Sequence, residues 1–493
     1  MTGTPAGGGP SLGRRAARGA AVTLVGQAVR IAVQVLSVVV LARMLQPRDY
    51  GLLAMVTVIV GVGEIFRDFG LSSAAVQAVD LSRKQRDNLF WINTGIGVVL
   101  ACIVAGGAEL IASVYDRTEL VGIARALSLT FILNGLATQY RASLLRSMQF
   151  SRVVTAEVAA PAVALTLAIG IAFAGGGYWA LVVQNLTQSV VLLVAMALGG
   201  RWLPGLPSRG VPMRALLTFG WRLVATQLIG YASNNTDSLT IGLRFGAGPL
   251  GLYNRGFQLL MTPLNQLRAP STTVALPVLS RLHDDDERYG EFVRRGQLAL
   301  GYTLVAGLAL AAAVASPLSS LLLGPQWVSV GPILRLLAIA GIFQTLAYVG
   351  YWVYLSRNLT SDLLRYTMVT ATIKVACVVG GSHWGVIGVA AGYAIAPAIA
   401  WPLSLWWLSR RTHIPVRALT TGALRILAVA TFAALCAAAT QTLLDDQPVV
   451  LGLAAASLAA LAAYGLAALT LRPVRADIAG VVAVVQMARR SRA

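Results

Sequence analysis

Charged side chains are scarce in this sequence. Only 12% of the 493 residues are charged, whereas a soluble domain usually has about 25%, and 57% are hydrophobic. The mean hydropathy is +0.71. This shortage of charge excludes an ordinary soluble protein and indicates an integral membrane protein.

Cysteine and histidine are also rare, with three residues of each. Cys102, Cys377 and Cys436 lie inside different apolar runs, which is typical of small core residues and not of a disulfide framework or a metal site. The three histidines are far apart in the sequence, so a histidine-rich metal centre is not expected. We therefore predict no cofactor other than a coupling proton or sodium ion.

Acidic residues are half as frequent as basic ones. The chain has 19 Asp and Glu against 39 Lys and Arg, and its formal net charge is +20. In a soluble chain this imbalance would suggest a nucleic-acid partner. Here the basic residues lie between apolar runs, which indicates membrane topology instead, and no nucleic acid is expected as a partner.

Long apolar segments fill most of the chain. Windows of about 20 apolar residues, the length needed to cross a bilayer, predict an all-α polytopic membrane protein with about 14 transmembrane helices. The predicted spans are 19–45, 51–78, 88–114, 119–145, 153–174, 178–200, 214–245, 250–279, 292–316, 328–356, 361–380, 384–409, 418–442 and 448–471.

Arginines are concentrated in alternate connections between these spans. The connections near 83–86, 141–152, 201–214, 281–295 and 410–417 are basic, whereas those at 175–177 and 324–326 are short and uncharged. Since basic loops remain on the cytoplasmic side, both termini are predicted to be cytoplasmic, which requires an even number of spans.

A weak internal repeat appears at a shift of 200 residues. Gln34 then falls on Asn234, and Gly51 falls on Gly251. The repeat predicts two six-helix lobes with the same orientation, related by a pseudo-two-fold axis along the membrane normal, plus two extra helices. Transporters built from parallel repeats bind substrate between the halves.

These patterns divide the chain into six parts. The predicted parts are a disordered cytoplasmic N-terminus at 1–18, an N-lobe of six spans at 19–200, a cytoplasmic linker at 201–213, a C-lobe of six spans at 214–409, two further spans at 410–472 and a basic cytoplasmic tail at 473–493.

Residues 214–279 combine high apolarity with an ordered line of polar groups. Asn234 and Asp237 lie on one face of the first helix, and Arg255, Gln258 and Arg268 recur at helical steps in the second. A charge at the bilayer centre costs about 2.5–3.5 kcal/mol on insertion scales, so such residues face a wet cavity or a partner. We interpret this hairpin as one wall of a polar cavity.

Several motifs resemble the polysaccharide transporter (Wzx-like) branch of the multidrug/oligosaccharidyl-lipid/polysaccharide exporter superfamily. They are the stretch LARMLQPRDYG at 41–51, FRDFGLSSAA at 66–75, NLFWIN at 88–93, NNTD at 234–237, GLYNR at 251–255 and PVLSRL at 277–282. The resemblance implies two six-helix lobes around a cationic cavity in the bacterial cytoplasmic (inner) membrane. It also implies a flippase that moves polyprenyl-pyrophosphate-linked oligosaccharide outward by alternating access, for exopolysaccharide or O-antigen-type assembly.

Arginine is the side chain best suited to bind a diphosphate in a dry cavity. We therefore expect Arg30, Arg255 and Arg268 to bind the substrate, together with Gln34, Asn234 and Gln258 on the same polar faces. Two alternatives stay open. The side chain of Arg255, five residues into its span, could extend to the membrane interface, and Arg268 could simply pair with an acid.

Asp237 and Glu64 are the intramembrane acids expected to carry a coupling proton or sodium ion. The alternative is that either acid is a structural partner for an arginine. Glu157 and Lys374 are weaker candidates for the cavity.

Two other functions fit the sequence less well. A cation-coupled multidrug exporter of the same superfamily would favour an acidic, aromatic cavity, whereas the helix faces here carry more arginine than acid. A membrane glycan polymerase or ligase would need a sizeable outer loop, and the outward connections are short. The expected function is therefore not enzymatic. Its partners are a polyprenyl-diphosphate-linked glycan and membrane lipids, with a glycan polymerase and chain-length proteins as further candidates.

Overall fold

The computed structural model of the protein describes residues 12–68, 81–210, 214–477 and 479–480. Side chains are described at 23, 25–67, 81–210, 224, 227–477 and 479–480. The described residues contain helices and no β-strand, as the apolar patterning predicts. They form two compact units, Met1–Ala232 and Ser233–Ala493, and the boundary between the units lies inside one long helix.

The described residues of the first unit form seven helices and the beginning of an eighth. These are α1 (Leu12–Met44), α2 (Pro47–Asp68), α3 (Arg83–Gly106), α4 (Ala108–Tyr115), α5 (Glu119–Arg146), α6 (Phe150–Phe173), α7 (Trp179–Gly200) and α8 (Arg214–Phe245), which continues into the second unit.

The second unit contains the remaining helices. These are α9 (Ala247–Arg281), α10 (Asp286–Leu300), a π-helical turn (Gly301–Val305), α11 (Ala306–Ala313), α12 (Ala315–Leu323), α13 (Val330–Ser356), α14 (Thr360–Gly381), α15 (Gly385–Ser409), α16 (Val416–Leu443) and α17 (Val449–Thr470), with short 3-10 turns at Pro325–Trp327 and Ser382–Trp384.

Eleven helical segments of the described chain are long and apolar enough to cross a membrane. One of them, Thr360–Ser409, contains both α14 and α15. The predicted spans at 214–245 and 250–279 coincide with α8 and α9, which are not among the eleven segments. The chain is therefore a multi-pass membrane protein, whereas the number of fourteen spans stays a prediction.

Polar caps fix two helix starts that the apolar windows placed too late. Helix α3 begins at Arg83 because Ser82 accepts a hydrogen bond from the Gln85 backbone and the Gln85 side chain accepts one from the Ser82 backbone. Helix α10 begins at Asp286 because the Asp285 carboxylate accepts from the Arg288 backbone at 3.0 Å. The helices therefore begin five and six residues before the predicted spans that start at 88 and 292.

The turn between α8 and α9 is shorter than the sequence suggests. Only Gly246 separates the two helices, with a φ of 80° that favours glycine. Gly248 and Pro249 already belong to the first turn of α9, where proline costs no hydrogen bond.

Both units pack their helices in the same order. In the first unit α5 packs on α3 and α7, and α6 packs on α7; in the second unit α13 packs on α11 and α15, and α14 packs on α15. Helices α2 and α9 begin 200 residues apart, at Pro47 and Ala247. The units thus share an internal arrangement, while the predicted domain boundaries and symmetry axis stay predictions.

Glycines allow the closest helix contacts, as is common between membrane helices. A Cβ atom on Gly97 of α3 would lie 2.5 Å from the backbone oxygen of Phe131 in α5. A Cβ atom on Gly135 of α5 would lie 2.8 Å from the backbone oxygen of Asn93 in α3. Helices α3 and α5 therefore meet backbone to backbone at these positions.

Beyond its first turn, helix α9 contains three prolines, Pro263, Pro270 and Pro277, at intervals of seven residues. Each proline lacks the N–H that would bond to the carbonyl four residues earlier. Since seven residues are close to two helical turns, these interruptions lie along one side of the helix.

We expect Gly97→Ala to lower the free energy of unfolding by about 1–3 kcal/mol, because the new methyl group overlaps the α5 backbone. Gly95→Ala, two residues away on the same helix, is the control. A Cβ atom there meets nothing within 4 Å. Thermal unfolding of the purified variants would measure both effects, and equal stability of the two variants would contradict the close contact.

Candidate functional site

One polar cluster of the first unit is centred on Glu157 of α6. Its carboxylate accepts hydrogen bonds from Arg141 of α5 at 2.9 and 3.1 Å and lies 3.5 Å from Nη1 of Arg30 on α1. Arg30 also donates to Oε1 of Gln27 at 2.7 Å. Two guanidinium groups thus share one carboxylate, and the cluster keeps a net positive charge.

Arg30 is only partly enclosed by this cluster. Its side chain is 37% exposed, compared with 24% for Glu157. A guanidinium has five N–H donors, so the contacts with Glu157 and Gln27 leave donors that an anion can use. The contacts of Arg30 are therefore compatible with anion binding.

A second cluster of the first unit surrounds Glu64 on α2. Nε of Arg67 donates to Glu64 at 2.5 Å, and the amide of Asn134 donates to the other carboxylate oxygen at 2.9 Å. Arg67 also donates to the Thr138 hydroxyl at 2.5 Å. Glu64 thus has an arginine partner, which was the alternative to ion coupling, and its role in coupling stays a prediction.

A cluster of the second unit is centred on Asp237 of α8, whose side chain is 1% exposed. The Tyr253 hydroxyl of α9 donates to Oδ2 of Asp237 at 2.5 Å. Lys374 of α14 attracts the same carboxylate electrostatically and donates to Oδ1 of Asn234 at 3.4 Å. The Lys374 ammonium also lies 4.7 Å from the ring centre of Tyr393.

Arg268 of α9 forms the next part of this polar region and is 4% exposed. It donates to the side chain of Asn265 and, at 3.3 Å, to Oε1 of Gln344 on α13. The Gln344 amide in turn donates to the Tyr393 hydroxyl at 3.3 Å. Because Tyr393 also meets Lys374, the Asp237 and Arg268 groups form one continuous polar network.

The other predicted residues lie outside these described hydrogen bonds. Gln34 of α1 and Gln258 of α9 are partly buried. Arg255 of α9 is buried, with 7% of its surface exposed, so its side chain does not extend along an open face. Of the eight predicted site residues, the structure joins Asn234, Asp237 and Arg268 in one network, whereas Arg30 and Glu64 belong to two separate clusters of the first unit.

Sequence reasoning missed several members of the network, including Tyr253, Gln344 and Tyr393. Gln344 gave a usable signal, because it is an amide inside the long apolar segment 330–356. Tyrosines give a weaker signal, since their rings suit an apolar core and the partner of a hydroxyl depends on the tertiary fold.

The residues that the structure describes contain no group of three or more His, Cys, Asp or Glu side chains that could hold a metal ion. The acidic run at 284–287 serves the helix start and ion pairs instead. Asp286 pairs with Arg357 at 2.5 Å, and Asp285 caps α10.

The sequence matches the family described as polysaccharide biosynthesis protein over residues 40–332. It is also 25% identical to the lipopolysaccharide biosynthesis protein WzxC of Escherichia coli K12 over 396 residues, which cover 79% of this chain and 80% of that protein. These similarities confirm the resemblance inferred from the sequence motifs.

Two solved structures share the fold. The lipid II flippase MurJ in an inward closed conformation has a TM-score of 0.69 at 12% identity, covering 91% of this chain and 98% of that chain. An inward-facing multidrug resistance MATE family transporter of the MOP superfamily has a TM-score of 0.61 at 15% identity, covering 80% of this chain and 99% of that chain. These likenesses confirm the predicted class of fold.

We expect Tyr253→Phe to lower the free energy of unfolding by about 1–3 kcal/mol, because the buried Asp237 carboxylate loses a hydroxyl donor. Tyr351→Phe is the matched control, since Tyr351 lies on α13 with 41% of its surface exposed. Thermal or denaturant unfolding would compare the two variants. A loss of equal size in both would show that the Tyr253 hydroxyl does not stabilise Asp237.

Proposed function

Because the chain belongs to the family of polysaccharide biosynthesis proteins, we propose that it flips a polyprenyl-pyrophosphate-linked oligosaccharide across the bacterial cytoplasmic membrane by alternating access. The flipped oligosaccharide is then used to assemble an exopolysaccharide or O-antigen-type glycan. The observation that carries the proposal is the similarity to WzxC along about four-fifths of both chains.

The fold supports a flippase because the lipid II flippase MurJ has the same arrangement of helices. A flippase must pass a polar headgroup through the bilayer while an apolar tail stays in lipid. Polar side chains inside apolar helices supply the contacts that such a headgroup needs.

The chemistry of a diphosphate supports roles for three arginines. Arg30 is partly exposed and shares the Glu157 carboxylate with Arg141. An incoming diphosphate therefore competes with only one carboxylate for two guanidinium groups. Arg255 and Arg268 are buried on α9. Gln34, Asn234 and Gln258 would add hydrogen bonds to the same headgroup.

The network around Asp237 supports a coupling role for this acid. Its carboxylate balances the charge of Lys374 and accepts from Tyr253. Uptake of a proton by Asp237 would remove that balance and leave Lys374 with the Asn234 amide and the Tyr393 ring. Proton uptake would therefore change the contacts of α8, α9 and α14, which is what ion coupling requires.

A cation-coupled multidrug exporter is the second candidate, because a MATE family transporter also has this fold. Such an exporter takes up cationic substrates, and a buried acid such as Asp237 would serve it. The clusters of the described chain, however, contain Arg30, Arg141 and Arg268, whose charge repels cations.

The proposed site of action is the inner membrane with both termini in the cytoplasm, as the basic connections predict. A glycan polymerase and chain-length proteins are the proposed protein partners, since a flipped glycan unit is the substrate of polymerisation. No enzymatic step is assigned to the chain.

Deletion of the gene should cause lipid-linked repeat units to accumulate in the inner leaflet. Arg30→Ala should fail to restore export, because the diphosphate loses a guanidinium. Arg125→Ala is the control, as Arg125 forms an exposed ion pair with Glu109. Glu157→Gln distinguishes the structural role of Arg30 in the ion pair from its role in binding the diphosphate, because it breaks the ion pair but keeps the Arg30 cation. Full export by Arg30→Ala would remove this residue from the substrate site.

Flipping of labelled lipid-linked sugar in vesicles should depend on an imposed proton or sodium gradient. We expect Asp237→Asn to abolish the response to the gradient, because the amide cannot exchange an ion. Glu109→Gln, which changes an exposed acid, should leave the response intact. Transport of cationic drugs without flipping of the sugar would instead establish the multidrug exporter.

A further inference from the structure

A cavity of the first unit lies apart from the clusters described above. Its volume is about 230 Å³, and its polar lining comes from Arg83 and Arg86 at the start of α3 and from Gln139, Ser143 and Arg146 in the last two turns of α5. We call these five residues the basic pocket. Neither Glu157 nor Arg30 lines it.

The basic pocket has a positively charged lining. Among the described residues that line it, three are arginines and none is acidic. Asp87, which follows Arg86 on α3, attracts it electrostatically. Arg83 and Arg86 repel each other electrostatically, and an anion in the cavity would relieve this repulsion.

Two buried N–H donors that have no hydrogen-bond partner among the described residues also favour an anion in the pocket. Gln139 is 1% exposed, and within the described part of the chain its Nε2 has no hydrogen-bond partner. Nε of Arg86 likewise has no partner there, and its guanidinium is held 4.1 Å from the ring centre of Trp202. An unsatisfied buried donor is destabilising, so an acceptor bound in the cavity would stabilise the structure.

The position of the pocket further restricts the class of ligand that it can bind. Arg83 and Arg86 follow the second predicted span, and Arg146 ends the fourth, so all three belong to connections predicted to be cytoplasmic. Basic pockets between membrane helices on this side are suited to anionic headgroups. At about 30 Å³ per water, the cavity has room for a phosphate group and several waters.

We propose that the basic pocket binds a phosphate group, supplied either by the headgroup of an anionic membrane lipid or by free inorganic phosphate. The three guanidinium groups and the Gln139 amide donate to its oxygens, as guanidinium forks do in phosphate sites. The bound anion links the start of α3 to the end of α5. This site is independent of the proposed transport site.

Binding to the full-length protein in detergent would test the proposal in two arms. One arm titrates phosphatidylglycerol against zwitterionic phosphatidylcholine, followed by native mass spectrometry. The other titrates inorganic phosphate against chloride at matched ionic strength, followed by thermal unfolding. The pocket variant carries Arg83→Gln, Arg86→Gln and Arg146→Gln. The matched control removes three exposed charges by Arg281→Gln, Arg417→Gln and Arg472→Gln.

We expect the pocket variant to bind at least roughly tenfold more weakly and the control to bind like the wild type, because only the pocket arginines bond to the anion. Binding of phosphatidylglycerol alone identifies a lipid site, and binding of inorganic phosphate identifies a site for the free anion. Both results support the proposal.

Equal weakening in the pocket variant and the control would overturn the proposal, as would absence of binding in both arms. Two milder variants cover the case in which the triple variant does not fold. Arg83→Gln changes an exposed residue, and Gln139→Met keeps the volume of the side chain while removing its donor. Unchanged affinity in both of these variants would likewise overturn it.

Discussion

An ionised side chain inside an apolar bundle is stable only when a partner offsets the lost hydration. This constraint shapes both units. Glu157 is shared by Arg30 and Arg141, and Asp237 is held by Tyr253 and Lys374. Since each partner lies on a different helix, every such group also fixes which helices are neighbours.

The polar groups and the glycine contacts have complementary effects on packing. Gly97 and Gly135 bring two backbones together without directional bonds, so they determine how closely α3 and α5 approach. The cluster around Glu157 then ties α5 to α1 and α6 through directional hydrogen bonds. A helix pair that is close but carries no polar link can slide, whereas a linked pair keeps its register.

The sequence predicted the class of fold and most helices, because long apolar runs report burial in a membrane directly. The predicted end of the seventh span at 245 coincides with the end of α8. Helix starts set by polar caps were missed, since Ser82 and Asp285 lie outside an apolar window. The partners of charged groups could not be predicted either. Helical periodicity predicts the face of the helix on which Asp237 lies, but it does not predict that Tyr253 and Lys374 contact Asp237.

The three prolines beyond the first turn of α9 remove backbone hydrogen bonds from one side of this helix. The carbonyl groups of Leu259, Gln266 and Thr273 lack the intrahelical bond that Pro263, Pro270 and Pro277 would otherwise supply. These carbonyls follow one another along one edge of the helix, while the opposite edge keeps its ladder. Bending α9 at this edge therefore breaks fewer backbone hydrogen bonds than bending it elsewhere, so the positions of the prolines favour one direction of bending.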